Sequence, residues 1–395
     1  MILAMNSEHY FDWAATAPCD KDILRESLEI ALQYDGNPSS THKTGSEARK
    51  IFERARESCA QSLGVKASQI FFTSGGTESD HIPLLSVLTS PAKKGRIILS
   101  SIEHPALREE CAQLKKLGFD VVSVNPDKNG FVSAQSILEK LTSDTLFVTV
   151  MAVNNETGCI QPVYEIADAL TQATKGKRRP HFHVDCVQAA GKIPLDFSHE
   201  GIDSAAFSAH KISGPRGIGI LYLSRPINSF LVGGGQEQNI RSGTENLFGA
   251  VAFSKCLEKY YINKKNQAAQ KRFNEQKEWT RDFLEKLSQI ERCRLVPEMR
   301  ADFEKSEEKF SPWVVQAAFV GIPGNVMVRA LDAKGFCIST GSACSAKKQS
   351  RPILAAMGAS REIQDSAVRF SFGSFTTKKA MDELAEAIKE IVKEF

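Results

Sequence analysis

Two residues at the ends of β-rich runs have the types that pyridine-cofactor chemistry needs. Asp185 closes the apolar run HFHVD, and Lys211 follows the run DSAAFSAH. Ligands of parallel α/β sheets bind at the carboxyl ends of strands, so both side chains are expected to face one site. An aspartate holds a pyridine nitrogen protonated and a desolvated lysine forms a Schiff base, the pairing that pyridoxal phosphate requires. The alternative is that Asp185 caps a turn and Lys211 is merely exposed.

A third strand end has the composition of a phosphate-binding turn. In the segment 73–78, TSGGTE, two glycines let the backbone approach an anion. The helix that follows offers unpaired N–H groups and the positive end of its dipole, and Thr77 adds a hydroxyl donor. An ordinary strand–helix turn with an N-cap explains the same residues, and the sequence leaves both interpretations open.

Cys344 is the best candidate for a reactive thiol among nine cysteines. It lies among small residues in TGSACS (340–345) and precedes the polar stretch AKKQSR (346–351), whose lysines favour a thiolate. Cys337 lies in an apolar run and is predicted to be a core residue, and the other cysteines are assigned to packing. The odd number and the absence of a C-x-x-C pair argue against a disulfide framework and favour a reducing cytoplasm.

Other short motifs are weaker. Ser208 and Lys211 match S-x-x-K of serine β-lactamases and residues 43–45 match K-T-G, but S-D-N is missing and the order is wrong. No dinucleotide or P-loop glycine motif is present. His181 and His183 alternate on one predicted strand, but no H-E-x-x-H motif or Cys/His cluster supports zinc, so no metal site is expected.

Seven β-rich runs alternate with helical segments, which predicts an α/β fold with a mostly parallel seven-stranded sheet flanked by helices. Examples of the helical segments are 104–118 and 163–176. The β-rich runs are 69–76, 96–101, 120–124, 146–153, 181–185, 203–210 and 217–224.

The predicted division is a large domain over 20–262 and a smaller α+β domain formed by 1–19 and 263–395, which carries the Cys344 loop. A long polar helix is expected over 263–290 and an amphipathic helix over 377–395. The 395 residues are 42% hydrophobic and 25% charged, as in soluble globular proteins. A net charge of +3, no signal-peptide pattern and no long apolar run predict no nucleic-acid or membrane partner.

Ten segments in order resemble the cysteine desulfurases of the class V aminotransferase superfamily, which are fold type I, pyridoxal-phosphate-dependent enzymes. TGSACS on a long polar loop resembles the iron–sulfur-cluster branch in particular. The segments are 10–18, 37–45, 72–79, 103–107, 153–158, 183–192, 207–222, 233–246, 340–345 and 368–377.

The resemblance assigns four residues to the cofactor ring. Lys211 would hold the cofactor as a Schiff base, and Asp185 would pair with the pyridinium nitrogen. Gln188 would hydrogen-bond the ring hydroxyl, and His104 would stack on the ring and relay a proton.

It assigns five more to the cofactor phosphate: Gly76, Thr77, Ser208 and His210, joined by Thr244 from a second subunit of a homodimer. Arg369 would bind the substrate carboxylate as a fork, with Asn155 beside substrate and cofactor and Asn37 near the substrate.

The implied reaction converts L-cysteine to L-alanine and leaves its sulfur on Cys344 as a persulfide. An acceptor protein would then take the sulfur for iron–sulfur clusters, thio-cofactors or tRNA. The alternatives are a selenocysteine lyase or another lyase of the same fold, a transaminase in which Cys344 is a bystander, and a non-catalytic scaffold subunit.

The chain departs from the family pattern without losing a group of named chemical role. Trp13 stands where an Asn is usual, Ala17 replaces a Thr, and Gly76 replaces the commoner Ala. Asp80 and His81 replace a pair of Asn, and Cys186 replaces a small residue beside Asp185.

Overall fold

The computed structural model describes residues 7–90, 94–341 and 351–395. Its larger sheet has seven strands, in the order β1-β7-β6-β5-β4-β2-β3. Each strand lies in or overlaps one of the seven predicted runs, and the predicted α/β class is confirmed. The strands are β1 (Ile70–Thr73), β2 (Arg96–Ser100), β3 (Asp120–Val124), β4 (Thr145–Thr149), β5 (His181–Asp185), β6 (Ser204–Ser208) and β7 (Gly219–Leu223).

The sheet is mostly parallel, with one strand reversed. β2 pairs in parallel with β3 and β4, and β5 with β4 and β6. β7 pairs antiparallel with both β6 and β1, so β1 runs in the same direction as β6. The carboxyl ends of β1, β5 and β6 therefore meet at one edge of the sheet, which is where ligands bind in such folds.

Helices cover both faces of this sheet and build the smaller unit. They are α1 (Lys21–Gln33), α2 (Lys43–Leu63), α3 (Gly76–Leu85), α4 (Pro105–Lys116), α5 (Ala134–Leu138), α6 (Val163–Ala173), α7 (Leu247–Tyr260), α8 (Gln267–Ser288), α9 (Phe303–Ser306), α10 (Gly324–Ala333), α11 (Pro352–Ala356), α12 (Arg361–Ser366) and α13 (Lys378–Glu394). The long helix α8 begins four residues later than predicted. Asn266 is its N-cap, and the side-chain oxygen of Asn266 accepts a hydrogen bond from the Ala269 N–H.

A second hydrophobic core surrounds a three-stranded antiparallel sheet of β8 (Cys293–Leu295), β9 (Val314–Phe319) and β10 (Ala367–Ser371), in the order β10-β9-β8. Helices α8, α10 and α13 supply about half of its buried apolar side chains, and Phe11 from the N-terminal segment joins them. The chain from residue 10 lies along the second core, because Tyr10 bridges Cys337 and Asp12 bridges Ser371. It then reaches the larger unit, where the Ala17 N–H donates to the His210 carbonyl. The division into 20–262 and 1–19 with 263–395 stays a prediction.

No helix in the described part of the chain is long and apolar enough to cross a membrane. Cys337 is only partly buried, which corrects its predicted place in the core. Its strand-like segment lies beside Tyr10 at the boundary between the cores, so one side of the residue is left accessible.

Candidate active site

A cavity of about 240 Å³ lies where the carboxyl ends of β5 and β6 meet the N-terminus of α3 and strand β10. Ten of the residues singled out from the sequence line it. They are Gly76, Thr77, His104, Asn155, Asp185, Gln188, Ser208, His210, Lys211 and Arg369.

Lys211 is held in the cavity by the N-terminal segment of the chain. Its Nζ donates hydrogen bonds to the carbonyl oxygens of Ala14 at 2.7 Å and Ala15 at 2.8 Å. This segment is fixed in turn, because the Ala17 N–H donates to the His210 carbonyl and the Ala14 N–H donates to Ser371 Oγ. The two cores thus meet at the lysine.

Asp185 is an almost fully buried carboxylate in the cavity wall, with 4% of its surface exposed. Its Oδ1 accepts a hydrogen bond from the Val187 N–H at 2.8 Å. Burial, and then the neighbouring carboxyl of Asp80, raise the pKa of Asp185 to about 7. A cationic ligand atom opposite this carboxyl would restore its negative charge.

The N-terminus of α3 forms a cradle at one end of the cavity. The first N–H groups of a helix have no acceptor within the helix, and here they belong to Gly76 and Thr77. A Cβ on Gly76 would come within 2.7 Å of Val187 Cγ2, so a side chain at this position would require Val187 to shift. Ser208 and His210 line the same cavity from the end of β6. This geometry suits an anionic group such as phosphate.

His104 is the N-cap of α4, and its Nδ1 accepts a hydrogen bond from the Ala106 N–H at 3.1 Å. Burial and the nearby Lys211 lower the pKa of His104 to about 4, so the imidazole is neutral at pH 7. With Nδ1 acting as acceptor, the proton lies on Nε2. His104 therefore presents an N–H donor, rather than a cation, on the remaining nitrogen.

Arg369 lies on β10 and is 2% exposed. One Nη donates to the Asn155 carbonyl oxygen at 3.0 Å and the other to Asp12 Oδ1 at 2.7 Å. Its Nε is buried without a hydrogen-bond partner in the described structure. A guanidinium fixed on two sides and unsatisfied on a third is oriented for a carboxylate ligand.

Gln188 has both ends of its amide engaged. Its Nε2 donates to the Ala14 carbonyl at 2.8 Å, and its Oε1 accepts from the buried Lys192 Nζ at 2.6 Å. Burial lowers the pKa of Lys192 well below its ordinary value. The second Nε2–H of Gln188 is the hydrogen left for a ligand.

Two predicted site residues, Asn37 and Thr244, do not line the cavity. Asn37 is exposed and its Oδ1 accepts from the Ser39 N–H, while Thr244 is exposed on a neighbouring loop. The Ser39 hydroxyl donates to Glu245 at 3.3 Å, so the two loops are adjacent. Cys344 lies outside the described residues.

The sequence reasoning missed several contributors to the cavity. The carbonyls of Ala14 and Ala15 carry no side-chain signal, and Gly341 lines the cavity only through the fold. Asp80 was visible as a departure from the family pattern, yet its place in the cavity wall was not foreseen. His181 and His183 share the Ser204 hydroxyl, and no group of three His, Cys, Asp or Glu among the described residues is arranged to hold a metal.

The mostly parallel seven-stranded sheet, with a lysine, a buried aspartate and an arginine converging at one edge, defines a fold type I enzyme. The chain belongs to the class-V aminotransferase family, whose model matches residues 9–384. It is 33% identical over 392 residues to the cysteine desulfurase IscS of Dictyoglomus turgidum, covering 98% of this chain and 95% of that protein.

Solved structures agree with this assignment. A NifS-like protein has a TM-score of 0.86 and 33% identity, covering 98% of this chain and all (100%) of the other. The protein SspA in complex with cysteine has a TM-score of 0.77 and 27% identity, covering 93% of this chain and 100% of the other.

Proposed function

We propose that this protein is a cysteine desulfurase that uses pyridoxal phosphate to convert L-cysteine to L-alanine and collects the sulfur on Cys344 as a persulfide. The carrying observation is the single cavity that joins Lys211, Asp185, His104 and Arg369. Full-length similarity to a cysteine desulfurase and to a protein solved with cysteine supports the substrate.

The residues of the cavity fit pyridoxal phosphate. The cradle at Gly76, which a Cβ would fill, and the first N–H groups of α3 suit the phosphate. Asp185 offers a buried carboxylate for the ring nitrogen, and Gln188 has one N–H left for the ring hydroxyl. When bound, this group supplies an electron sink that weakens bonds at the substrate Cα and Cβ.

Lys211 would attach the cofactor through Nζ and, once substrate replaces it, exchange a proton with the substrate carbons. The carbonyls of Ala14 and Ala15 keep its Nζ at the cavity wall during this exchange. His104, neutral with its proton on Nε2, would donate a hydrogen bond or relay a proton without adding positive charge.

Arg369 would bind the substrate carboxylate and so fix the orientation of the Cα–H bond. Its two Nη contacts, to the Asn155 carbonyl and Asp12, hold the guanidinium plane before substrate arrives. Because the group is already ordered, little conformational entropy is lost on binding.

Cys344 would attack the substrate sulfur, so the C–S bond of cysteine breaks and an S–S bond forms on the enzyme. The thiol hydrogen is conserved overall, because cysteine and a thiol give alanine and a persulfide. Gly341, three positions before Cys344 in the sequence, lines the cavity.

The persulfide would pass to a sulfur-acceptor protein for iron–sulfur-cluster, thio-cofactor or tRNA biosynthesis in the cytoplasm. The enzyme would act as a homodimer in which Thr244, and the Asn37 loop beside it, complete the site of the other subunit.

The test is intact-protein mass spectrometry after incubation of the cofactor-loaded enzyme with L-cysteine, together with an assay for alanine. We expect one added sulfur in the wild type and none in Cys344→Ala. Cys337→Ala, seven positions earlier in the chain and partly exposed, is the matched control and should gain the sulfur normally.

Two outcomes contradict the proposal. Amino transfer to a keto acid that persists in Cys344→Ala indicates a transaminase. Alanine release from selenocysteine but not from cysteine indicates a selenocysteine lyase.

A further inference from the structure

A second buried carboxyl lies in the cavity wall beside Asp185. Asp80, on α3, is 1% exposed and lines the same cavity, and its Oδ1 is 3.1 Å from His183 Nε2. Among the described residues, His183 Nε2 is within hydrogen-bonding distance of this carboxyl. The mechanism above makes no use of it.

A chain of short hydrogen bonds continues from this contact. His183 Nδ1 lies 2.7 Å from Ser204 Oγ, and Ser204 Oγ lies 2.7 Å from His181 Nε2. His183 and Ser204 are fully buried (0% exposed), whereas His181 at the start of β5 is partly exposed. This series of hydrogen bonds therefore links β5 to β6, where Ser204 lies opposite His183.

The hydrogens in this chain can be assigned if Asp80 is protonated. Its O–H then donates to His183 Nε2, and His183 Nδ1–H donates to Ser204 Oγ. The Ser204 hydroxyl in turn donates to His181 Nε2, so each of the three contacts has one donor and one acceptor with both imidazoles neutral. Burial lowers the pKa of His183 to about 4, in agreement with a neutral ring.

The surroundings of the two carboxyls differ in a way that decides which one ionises first. Asp185 accepts the Val187 N–H and lies near Lys211, and both favour its anion. Among the described residues, Asp80 is hydrogen-bonded to the neutral His183 ring, and burial raises its pKa well above the ordinary value.

Glu103, three residues beyond the end of β2, also lies near Asp185, and burial raises its pKa to about 8. Like Asp80, it is therefore neutral at pH 7 and leaves the negative charge to Asp185. Two neighbouring acids in a low-dielectric site resist being ionised together.

We propose that Asp80 is a positioning residue that stays protonated and donates a hydrogen bond to His183. The neighbouring Asp185 then alone carries the negative charge that faces the cofactor ring. The inference rests on the proposed function for the identity of the cofactor. The proton arrangement itself concerns this chain's residues alone.

The test is an infrared titration of the full-length protein without cofactor, which follows the C=O stretch of protonated carboxyls. The Asp80 band is assigned by its loss in Asp80→Asn and the Asp185 band by its loss in Asp185→Asn. We expect Asp80 to stay protonated to a pH at least about one unit above the Asp185 midpoint, a tenfold difference in proton affinity.

In Asp185→Asn the Asp80 midpoint should fall, because the neighbouring charge is gone. Asp168→Asn, an exposed substitution of the same type, should leave both midpoints in place. An Asp80 that ionises before Asp185, or whose midpoint does not respond to Asp185→Asn, overturns the proposal.

A second measurement needs no substitution at Asp80. Nitrogen NMR of ¹⁵N-histidine in the wild type should show His183 neutral with its proton on Nδ1, and an Nε2–H or cationic ring would refute the arrangement. Both measurements are made without cofactor and substrate, so failure of the desulfurase assay leaves their results standing, and the reverse holds too.

Discussion

Burial sets the charges of individual residues around the cavity. His104 and His210 are partly enclosed and have pKa values lowered to about 4, mainly by desolvation and then by Lys211. Asp185 and Glu103 are shifted in the opposite sense, to about 7 and about 8. The cavity and its surroundings thus hold neutral imidazoles and carboxyls with raised pKa values. Lys211 and Arg369 are the cations in the cavity lining.

Glu103 gives a pH-dependent prediction at this scale. Its Oε1 accepts from Ser100 Oγ at 2.5 Å and the Met151 N–H at 2.7 Å, and its Oε2 has no partner in the described structure. Burial raises its pKa from 4.5 to about 8, so the folded protein keeps a proton that the unfolded chain loses. The contribution of Glu103 to the free energy of unfolding is fully present below pH 4.5. It falls by about 1.4 kcal/mol per pH unit as the pH rises to 8.

Glu103→Gln mimics the neutral acid and should remove this dependence. Denaturant unfolding is measured at pH 5 and pH 8, roughly the ends of the pH range over which Glu103 titrates. The free energy of unfolding of the variant should rise relative to that of the wild type as the pH increases. Glu109→Gln, an exposed position on α4, makes the same change of charge and should run parallel to the wild type. A Glu103→Gln profile parallel to the wild type would refute the shift.

The elements around the site are held close by glycine and by buried charge. Trp13, the departure whose effect the sequence left open, is buried with its ring over Gly373, where a Cβ would come within 1.9 Å of the indole. Its edge also meets the Phe375 ring at 5.6 Å. Trp13 therefore packs the N-terminal segment that holds Lys211, which explains how a large side chain is accommodated there.

A buried ion pair fixes the loop that leads to Thr244. Arg56 donates to both oxygens of Glu237, at 2.8 and 2.5 Å, and their side chains are 6% and 3% exposed. Glu237 also accepts the Phe72 N–H. Glu237, Gln238 and Asn239 have φ values of 47°, 54° and 65°, a left-handed run that non-glycine residues adopt only when their surroundings hold them.

Glu237→Gln should therefore destabilise the protein by about 3–5 kcal/mol, because Arg56 is left buried with its main counter-charge removed. Thermal or denaturant unfolding measures the loss, and hydrogen exchange should rise over 236–246. Glu53 supplies the other carboxylate that contacts Arg56, and its side chain is 49% exposed. Glu53→Gln should therefore lower the free energy of unfolding by less than about 1 kcal/mol. Equal effects of the two substitutions would contradict the structural role of the buried pair.

For the whole molecule, the exposure of the loops that carry Thr244 and Asn37 supports the proposed dimer. Thr244 and Asn37 lie on the surface, and Phe230, Leu231 and Val232 nearby in the chain are 48%, 53% and 81% exposed. Apolar exposure of this kind is typical of a surface that another protein covers. A second copy of this chain would cover it in the proposed dimer.

Complementation between subunits tests this arrangement. Lys211→Ala and Thr244→Val chains, each weakly active alone, should regain roughly a quarter of wild-type activity when dissociated and mixed, since one site of each heterodimer is then intact. Lys211→Ala mixed with Arg369→Ala is the control, because these residues share one chain's cavity and no intact site can form. Absence of any gain in the first mixture would show that Thr244 does not act across subunits.

Local sequence determined the strands and the residue types at their ends. The seven β-rich runs with their turn residues predicted the sheet, because apolar β-branched runs that alternate with helices are typical of parallel strands. Asp185, Ser208 and Lys211 were recognisable because parallel strands bring their carboxyl ends to one edge. The direction of β7 was not predicted, because the residue pattern of a buried apolar strand does not show whether the strand pairs parallel or antiparallel with its neighbours.

The tertiary structure alone decided the contacts made by backbone atoms and by distant segments. The carbonyls of Ala14 and Ala15 at Lys211 and the pairing of Arg369 with Asp12 depend on the N-terminal segment, which contacts both cores. The place of Asp80 beside Asp185 depends on the packing of α3 against β5. Neighbours far apart in the chain set the burial of each charge, and burial sets its pKa. A sequence gives the identity of each ionisable group, whereas its charge in the cavity follows from the fold.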